Sequence, residues 1–224
     1  MKYEITNEVK VIFGRTLHRI KAIKSFANAV KGELGGWIEN TDNLSQEGIS
    51  WISENGMVFG NARVFGDAWV CGNARVFDHA QICGNVRVFD NARICGNARV
   101  FDHAQICGYA RISGNACVND RARVFGNAGV TDYAKVSGNA TVSGNGNLRR
   151  PNDIIVVGPI GSRCDFTTFY KKSSVETLVN CGCFTGTIEE FEKQVEKTHG
   201  DNEYAKVYKK AIELAKLQIV ENDN

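Results

Sequence analysis

The sequence is short of proline, of surplus charge and of long apolar runs. Only 2 of its 224 residues are proline, and its 23 glycines recur at fixed intervals instead of being scattered as in a disordered linker. Lys and Arg total 27 against 25 for Asp and Glu, so the formal net charge is only +2. That balance argues against a strongly basic nucleic-acid-binding protein and against an acidic mimic of DNA.

Neither a signal peptide nor a membrane-spanning segment is predicted. The first residues, MKYEITNEVKVIF, have no apolar core after their basic residue, and no apolar stretch approaches the length needed to cross a bilayer. We therefore expect a cytoplasmic protein without a membrane partner.

The eight cysteines follow neither a disulfide nor a metal-binding pattern. A disulfide scaffold is not expected in a chain of this length without a signal peptide. The absence of a CxxC pair argues against structural zinc, and we predict no metal and no cofactor. Cys181 and Cys183 alternate on a predicted strand and are expected to be buried thiols. Four others are spaced at intervals of twelve, at Cys71, Cys83, Cys95 and Cys107.

A six-residue repeat fills the middle of the chain. Every sixth residue from Val58 to Val142 is Val or Ile, which suit an extended, half-buried backbone. Four residues after each comes a small residue that fits a tight inner corner, with Val86 as the exception. Between the branched and the small residue stands Gly or Asp, followed mostly by Asn or His. These residue types tolerate the left-handed backbone that a sharp corner needs. Each unit is one short strand and one corner, and must stack on others to bury its apolar face.

This pattern resembles the hexapeptide repeat of left-handed parallel β-helices, in which three units make one triangular turn. The resemblance covers residues 58–146 and implies a mainly β fold with about five regular turns. Residues 1–57 are predicted to form a small N-terminal β cap with irregular first turns, whose apolar positions are Ile38, Leu44 and Ile52.

Residues 147–224 are predicted to form a separate α+β module. Short strands are expected at IIVVG, FTTFYKK and VETLVNCGCF, with GPIGSR as a turn. Thr187 and Glu190 have the spacing of a capping box, which predicts a helix that ends near His199–Gly200. A second amphipathic helix is predicted over DNEYAKVYKKAIELAKLQI, with one face formed by Tyr204, Val207, Tyr208, Ile212, Ala215 and Ile219.

Columns of outward side chains are expected along each face, because eighteen residues return the chain to the same face one turn higher. Arginines stacked about 4.8 Å apart repel one another unless something negative lies on them. The first face is therefore a candidate site for an anionic ligand or an acidic partner, formed by Arg75, Arg93, Arg111, Phe59 and Phe77. The third face carries Trp69, Arg87, Gln105 and Arg123.

An alternative gives the first-face arginines no ligand. They would lie flat on neighbouring phenylalanines and be neutralised by Asp78 and Asp90, or by a second subunit. Phenylalanine exposed on every turn would favour self-association, so we expect a homo-oligomer, either a dimer or a trimer.

The turn GPIGSR gives a second candidate site. Its backbone amides together with Ser162 and Arg163, with Thr168 nearby, could cradle a small anion. A phosphate loop would need a helix directly after the turn, and none is predicted there.

The whole layout resembles hexapeptide-repeat proteins of phages and prophages, which are often labelled transferases. The motifs that carry the resemblance are GRTLHRIKAI, GELGGWIE and NLSQEG near the N-terminus, the GNARV-type units, and VGPIGSR, TTFY and CGCFTGTIEEFE near the C-terminus. The resemblance implies a phage-encoded protein in the host cytoplasm, but no particular activity.

Hexapeptide-repeat acyltransferases resemble this fold and use a histidine as general base at a subunit interface. His79 and His103 are the candidates here, yet they stand at a corner position that Asn and Tyr also occupy, and 24 residues separate them onto different corners. The chain also lacks the long loop between units and the Asn/Pro-rich tail with which such enzymes grip acyl-CoA. These features favour a conformational role for both histidines.

We therefore predict a non-catalytic, oligomeric binding or scaffold protein. Its partner would be a host protein or a small anionic ligand, such as a nucleotide signal sequestered in evading host defence. Two alternatives stay open. One is an acyltransferase that uses acyl-CoA, and the other is nucleic-acid binding through the Arg/Phe faces.

Overall fold

The repeat folds into a parallel β-solenoid in the computed structural model, which describes residues 1–27 and 29–220. Between residues 34 and 148 the chain winds through about six turns, and an antiparallel hairpin precedes them. The predicted mainly β fold is confirmed. The left-handed winding that the resemblance implies stays a prediction. Residue 28 of the predicted cap and residues 221–224 of the predicted module lie outside the described residues.

Three parallel sheets form the faces of the solenoid, and neighbouring strands of a sheet lie one turn apart. The first sheet contains β3 (Leu34–Ile38), β5 (Met57–Val58), β8 (Arg75–Val76), β11 (Arg93–Ile94), β14 (Arg111–Ile112), β17 (Gly129–Val130) and β20 (Asn147–Leu148). The second contains β6 (Arg63–Val64), β9 (Gln81–Ile82), β12 (Arg99–Val100), β15 (Cys117–Val118) and β18 (Lys135–Val136). The third contains β4 (Trp51–Ile52), β7 (Trp69–Val70), β10 (Arg87–Val88), β13 (Gln105–Ile106), β16 (Arg123–Val124) and β19 (Thr141–Val142).

The repeated Val and Ile side chains form the core of the solenoid. From Val58 to Val142 each is at most 1% exposed, as are the alanines of the inner corners. The irregular first turns follow the same alignment, since Ile38, Leu44 and Ile52 each pair with the repeat residue one turn on. Leu148 is also fully buried, so the solenoid continues two residues past the predicted boundary at 146.

Aspartates at the corners hold adjacent turns together through hydrogen bonds to the backbone. Asp78 has a φ of 60°, and its Oδ2 accepts a hydrogen bond from the backbone N–H of Gly96 at 3.0 Å, one turn away. Asp90 makes the same bond to Gly108 at 3.1 Å. A corner carboxylate thus satisfies a backbone donor of the next turn and offsets part of the cost of its left-handed backbone.

Replacing Asp78 should separate these two effects. Asp78→Ala and Asp78→Gly both remove the hydrogen bond to Gly96, but only alanine keeps a Cβ at positive φ. We expect the alanine variant to be about 1–2 kcal/mol less stable than the glycine variant. Urea unfolding of the two variants measures this difference, and equal midpoints would contradict it.

The N-terminal hairpin continues the first sheet beyond the first turn. It consists of β1 (Tyr3–Ile12) and β2 (Arg15–Ala22), and β2 pairs antiparallel with β3. The Tyr3 hydroxyl donates to the Leu44 carbonyl at 2.7 Å, and Phe26 packs edge-on against Trp51 with ring centroids 5.3 Å apart. These contacts cover the open end of the core, as the predicted cap requires.

The C-terminal module is an antiparallel sheet with helices packed on it. Thr187 caps the first helix as predicted, because its hydroxyl accepts from the Glu190 N–H while the Glu190 carboxylate accepts from the Thr187 N–H. The strands, in spatial order, are β21 (Ile154–Ile160), β22 (Asp165–Lys171), β23 (Thr177–Cys181) and β24 (Phe184–Thr187). The helices are α1 (Ile188–His199) and α2 (Glu203–Val220). Among the described residues no helix is both long and apolar enough to span a bilayer.

Three details of the module differ from prediction. The segment Gly158–Ile160 extends β21, so the turn begins only at Gly161. Cys183 lies in the turn after β23 and is exposed, not buried, since the strand ends at Cys181. Tyr204 and Val207 are more than 40% exposed because the buried stripe of α2 is displaced to one side of them, at Ala205, Tyr208, Ala211, Ile212, Ala215 and Ile219.

The module closes the far end of the solenoid. Tyr170 is fully buried and belongs to the same apolar cluster as the last turns. The Tyr170 hydroxyl lies 3.2 Å from the Ser143 hydroxyl. The Asn180 side-chain amide donates to the Ser143 hydroxyl at 2.8 Å. The module therefore caps the core, a role that the sequence left open.

Candidate functional site

The outward positions of the third sheet carry a column of aromatic and cationic side chains. Parallel pairing aligns Trp69 with Arg87, Arg87 with Gln105, and Gln105 with Arg123. Successive side chains are therefore about 4.8 Å apart along the solenoid. Beside this column, the corner that precedes the sheet carries Asp67, Asn85, His103, Arg121 and Asn139.

Two adjoining cavities lie on this face. One, of about 640 Å³, lies at the C-terminal end, where Asp165, Phe166 and Asn180 of the module overhang Arg121 and Arg123. The other, of about 470 Å³, lies at the N-terminal end, where its lining includes Ala27, Ile49, Trp51, Trp69 and Arg87. Both volumes lie in the usual range for small-molecule sites.

His103 and Gln105 line both cavities, which therefore adjoin along the third sheet. We call the two cavities together the third-face groove. Its floor is the third sheet, and the N-terminal cap and the C-terminal module contribute its two ends. The groove depends on both caps, so it exists only in the complete fold.

The cationic groups of the groove lack acidic partners. Arg87, Arg121 and Arg123 are exposed, and across residues 1–27 and 29–220 no carboxylate lies within 4 Å of their guanidinium groups. The carboxylates that line the groove are Asp67 and Asp165. Guanidinium groups without a partner favour binding of an anion, which they can hold with paired hydrogen bonds.

An indole is held next to these arginines. Trp69 is half-buried, and its Nε1 donates to the Ser53 hydroxyl at 2.9 Å. The ring is therefore fixed in place one turn before Arg87. A fixed aromatic ring offers a stacking surface for a planar ligand group.

Comparison with known proteins supports the repeat architecture. The repeat family described as YdcK beta solenoid repeat matches residues 58–72, 80–93 and 92–108. The chain is a repeat β-solenoid protein. A search of the curated proteins finds no match to it.

The solenoid places the predicted first-face residues together. Arg93 pairs with Arg75 on one side and Arg111 on the other, and Phe59 stacks on Phe77 with ring centroids 5.2 Å apart. The phenylalanine column is less exposed than expected, however. Phe59 is only 3% exposed because the N-terminal hairpin packs against it.

Of the alternative for this column, the part in which Asp78 and Asp90 neutralise the arginines is wrong, and neutralisation by a second subunit stays a prediction. Asp78 and Asp90 are engaged with backbone amides, and neither forms an ion pair with a first-face arginine in the described part of the chain. Arg75 instead lies over the Phe13 ring at 5.9 Å from its centroid. The hairpin therefore occupies part of the first face, which leaves the third-face groove as the better-formed site.

The three residues predicted to form an anion site near the turn GPIGSR do not all lie together in the structure. Ser162 and Arg163 line a cavity of about 240 Å³ in the C-terminal module. Thr168 is 1% exposed, and its hydroxyl accepts a hydrogen bond from the Thr141 N–H at 3.0 Å. Thr168 thus joins the module to the last turn and does not lie with the other two.

The two histidines lie at different corners, as their spacing requires. His79 is exposed, and its Nδ1 lies 3.4 Å from the Asn61 amide nitrogen of the previous turn. His103 lies at the centre of the third-face groove. Among the described residues no three His, Cys, Asp or Glu side chains form a metal-binding group.

Sequence reasoning placed Trp69, Arg87 and Arg123 in one column but did not single them out. The repeat alone favoured the first face, because three arginines are aligned there. What distinguishes the third face is the overhang of residues 165–185, which come from a different part of the chain. No local pattern in the repeat signals that contact.

Proposed function

We propose that the protein is a non-catalytic binding protein that holds a small anionic ligand with a planar ring in the third-face groove. A nucleotide has this chemistry. The observation that carries the proposal is the set of guanidinium groups of Arg87, Arg121 and Arg123, which line the groove and have no acidic partner among the described residues.

In this arrangement the arginines hold the phosphate groups and Trp69 stacks on the base. Arg87 and Arg123 are two turns apart, about 10 Å, which is a span suited to a ligand with more than one anionic group. Gln105 between them offers both a donor and an acceptor to a sugar or base. The imidazole nitrogens of His103, which also lines the groove, add further hydrogen-bonding groups beside Gln105.

We further propose that the protein acts as a homo-oligomer and sequesters a nucleotide signal in a phage-infected host. The support for the setting is the resemblance of its motifs to phage and prophage proteins. The support for self-association is the apolar surface, with Phe65 and Phe125 each 38% exposed on the solenoid.

Ligand binding can be tested by equilibrium dialysis of the full chain against purine nucleotides and their matched nucleosides. The expected result is saturable binding of a nucleotide, with its nucleoside at least about tenfold weaker, because charge-assisted hydrogen bonds to phosphate are lost. Equal affinity for nucleoside and nucleotide would contradict the arginine-based site. An oligonucleotide that binds in preference to every mononucleotide would favour the nucleic-acid alternative.

One observation favours an acyltransferase as a second candidate. His103 lies in the groove at the junction of the two cavities, where a base would meet a bound acceptor. His79 is on another corner and serves as a matched control. Acetyl-CoA turnover that is lost in His103→Ala and kept in His79→Ala would support this candidate, and an absence of turnover with wild-type protein would contradict it.

A further inference from the structure

The C-terminal module contains a thiol whose surroundings differ from those of the solenoid cysteines. Cys183 lies in the turn between β23 and β24, at the edge of the cavity of about 240 Å³. Arg163, from the turn after β21, donates from Nη1 to the Cys183 Sγ at 3.5 Å. Phe184, Phe191 and Tyr208 form an aromatic wall of the same cavity.

Contact with the guanidinium group favours the thiolate form. The hydrogen bond from Arg163, and then its charge, lower the pKa of Cys183 below that of an ordinary thiol. The solenoid cysteines show the opposite behaviour, since burial raises the pKa of Cys71 to about 11 and also raises that of Cys95. Cys183 is exposed, so a reagent can reach its sulfur.

We propose that Cys183 is a modification site that forms mixed disulfides with small anionic disulfides of the glutathione type. The Cys183 thiolate attacks one sulfur of glutathione disulfide, and a new sulfur–sulfur bond forms as the original one breaks. The departing glutathione thiolate takes the electron pair and is protonated by solvent. The disulfide is the oxidant, and no other co-reactant is needed.

Arg163 supports this reaction in two ways. It stabilises the attacking thiolate, and its charge attracts the carboxylates of the incoming peptide. This cavity shares Asp165 and Gly182 with the lining of the third-face groove, but Arg163 and Cys183 do not line the groove, so the proposal does not rest on the nucleotide ligand.

The test uses the full chain incubated with glutathione disulfide at neutral pH, followed by intact mass measurement and peptide mapping over time. Cys164 is also exposed and adjoins Arg163 in sequence, which makes it the matched control thiol. We expect Cys183 to be modified about tenfold faster than Cys164, because the guanidinium group of Arg163 donates to the Cys183 sulfur and stabilises its thiolate. Cys183→Ser should remove the fast adduct, and Cys164→Ser should keep it.

Arg163→Gln distinguishes an activated thiol from one that is merely accessible. We expect this variant to react about tenfold more slowly at Cys183 and to shift the midpoint of its pH–rate profile upward. Modification of Cys183 no faster than Cys164, or an unchanged rate and pH profile in Arg163→Gln, would overturn the proposal.

Discussion

Ile94→Ala is expected to lower the free energy of unfolding by about 2–5 kcal/mol, the usual cost of truncating a buried isoleucine. Ile94 is fully buried and pairs with Val76 and Ile112 of the adjacent turns. Truncation of the Ile94 side chain leaves a cavity in the middle of the buried column. The neighbouring side chains cannot fill it, because close-packed interiors relax only in part. Denaturant unfolding monitored by circular dichroism measures the change.

Arg93→Ala provides a matched control on the same strand. Arg93 precedes Ile94 and points outward, so its truncation should change the free energy of unfolding by about 0.5 kcal/mol or less. The contrast tests the alternation of inward and outward residues directly. Comparable losses in the two variants would show that this strand does not have the orientation described.

Reversal of two groove charges is expected to weaken nucleotide binding by at least about 100-fold, because each charged hydrogen bond contributes about 1.5–3 kcal/mol. The variant is Arg87→Glu together with Arg123→Glu, which replaces two guanidinium groups by carboxylates on the groove floor. Equilibrium dialysis with the nucleotide that binds wild-type protein measures the loss.

The control changes the same number of charges on another face. Arg93→Glu together with Arg111→Glu alters the first-face column and keeps the net charge identical to that of the groove variant. We expect its affinity to stay within about threefold of wild type, since the altered charges lie outside the groove and are screened by salt. A larger loss from the first-face variant than from the groove variant would move the binding site to the first face.

Much of the fold could be predicted from sequence because each level of the repeat agrees with the others. Branched residues at every sixth position, small residues at the inner corners and turn formers between them all specify the same short unit. The capping box at Thr187 is an equally local signal, and the structure confirms it. Signals of this kind need only neighbours in sequence.

Other features depend on contacts between distant segments, and local patterns cannot report those. The corner role of Asp78 needs the amide of Gly96 from the next turn, and the third-face groove needs the overhanging module. The prediction that Cys183 is buried was wrong because strand alternation was extended two residues beyond the end of β23. The link between Arg163 and Cys183 joins two turns that are twenty residues apart.

Native mass spectrometry of the full chain with and without added purine nucleotide tests the central claim most directly, because it reads subunit number and bound ligand together. We predict an oligomer of the wild-type protein that retains nucleotide in a fixed ratio to its subunits. The Arg87→Glu/Arg123→Glu variant should form the same oligomer without nucleotide. Wild-type protein that retains no nucleotide, or a groove variant that retains as much as wild type, would contradict a binding site in the third-face groove.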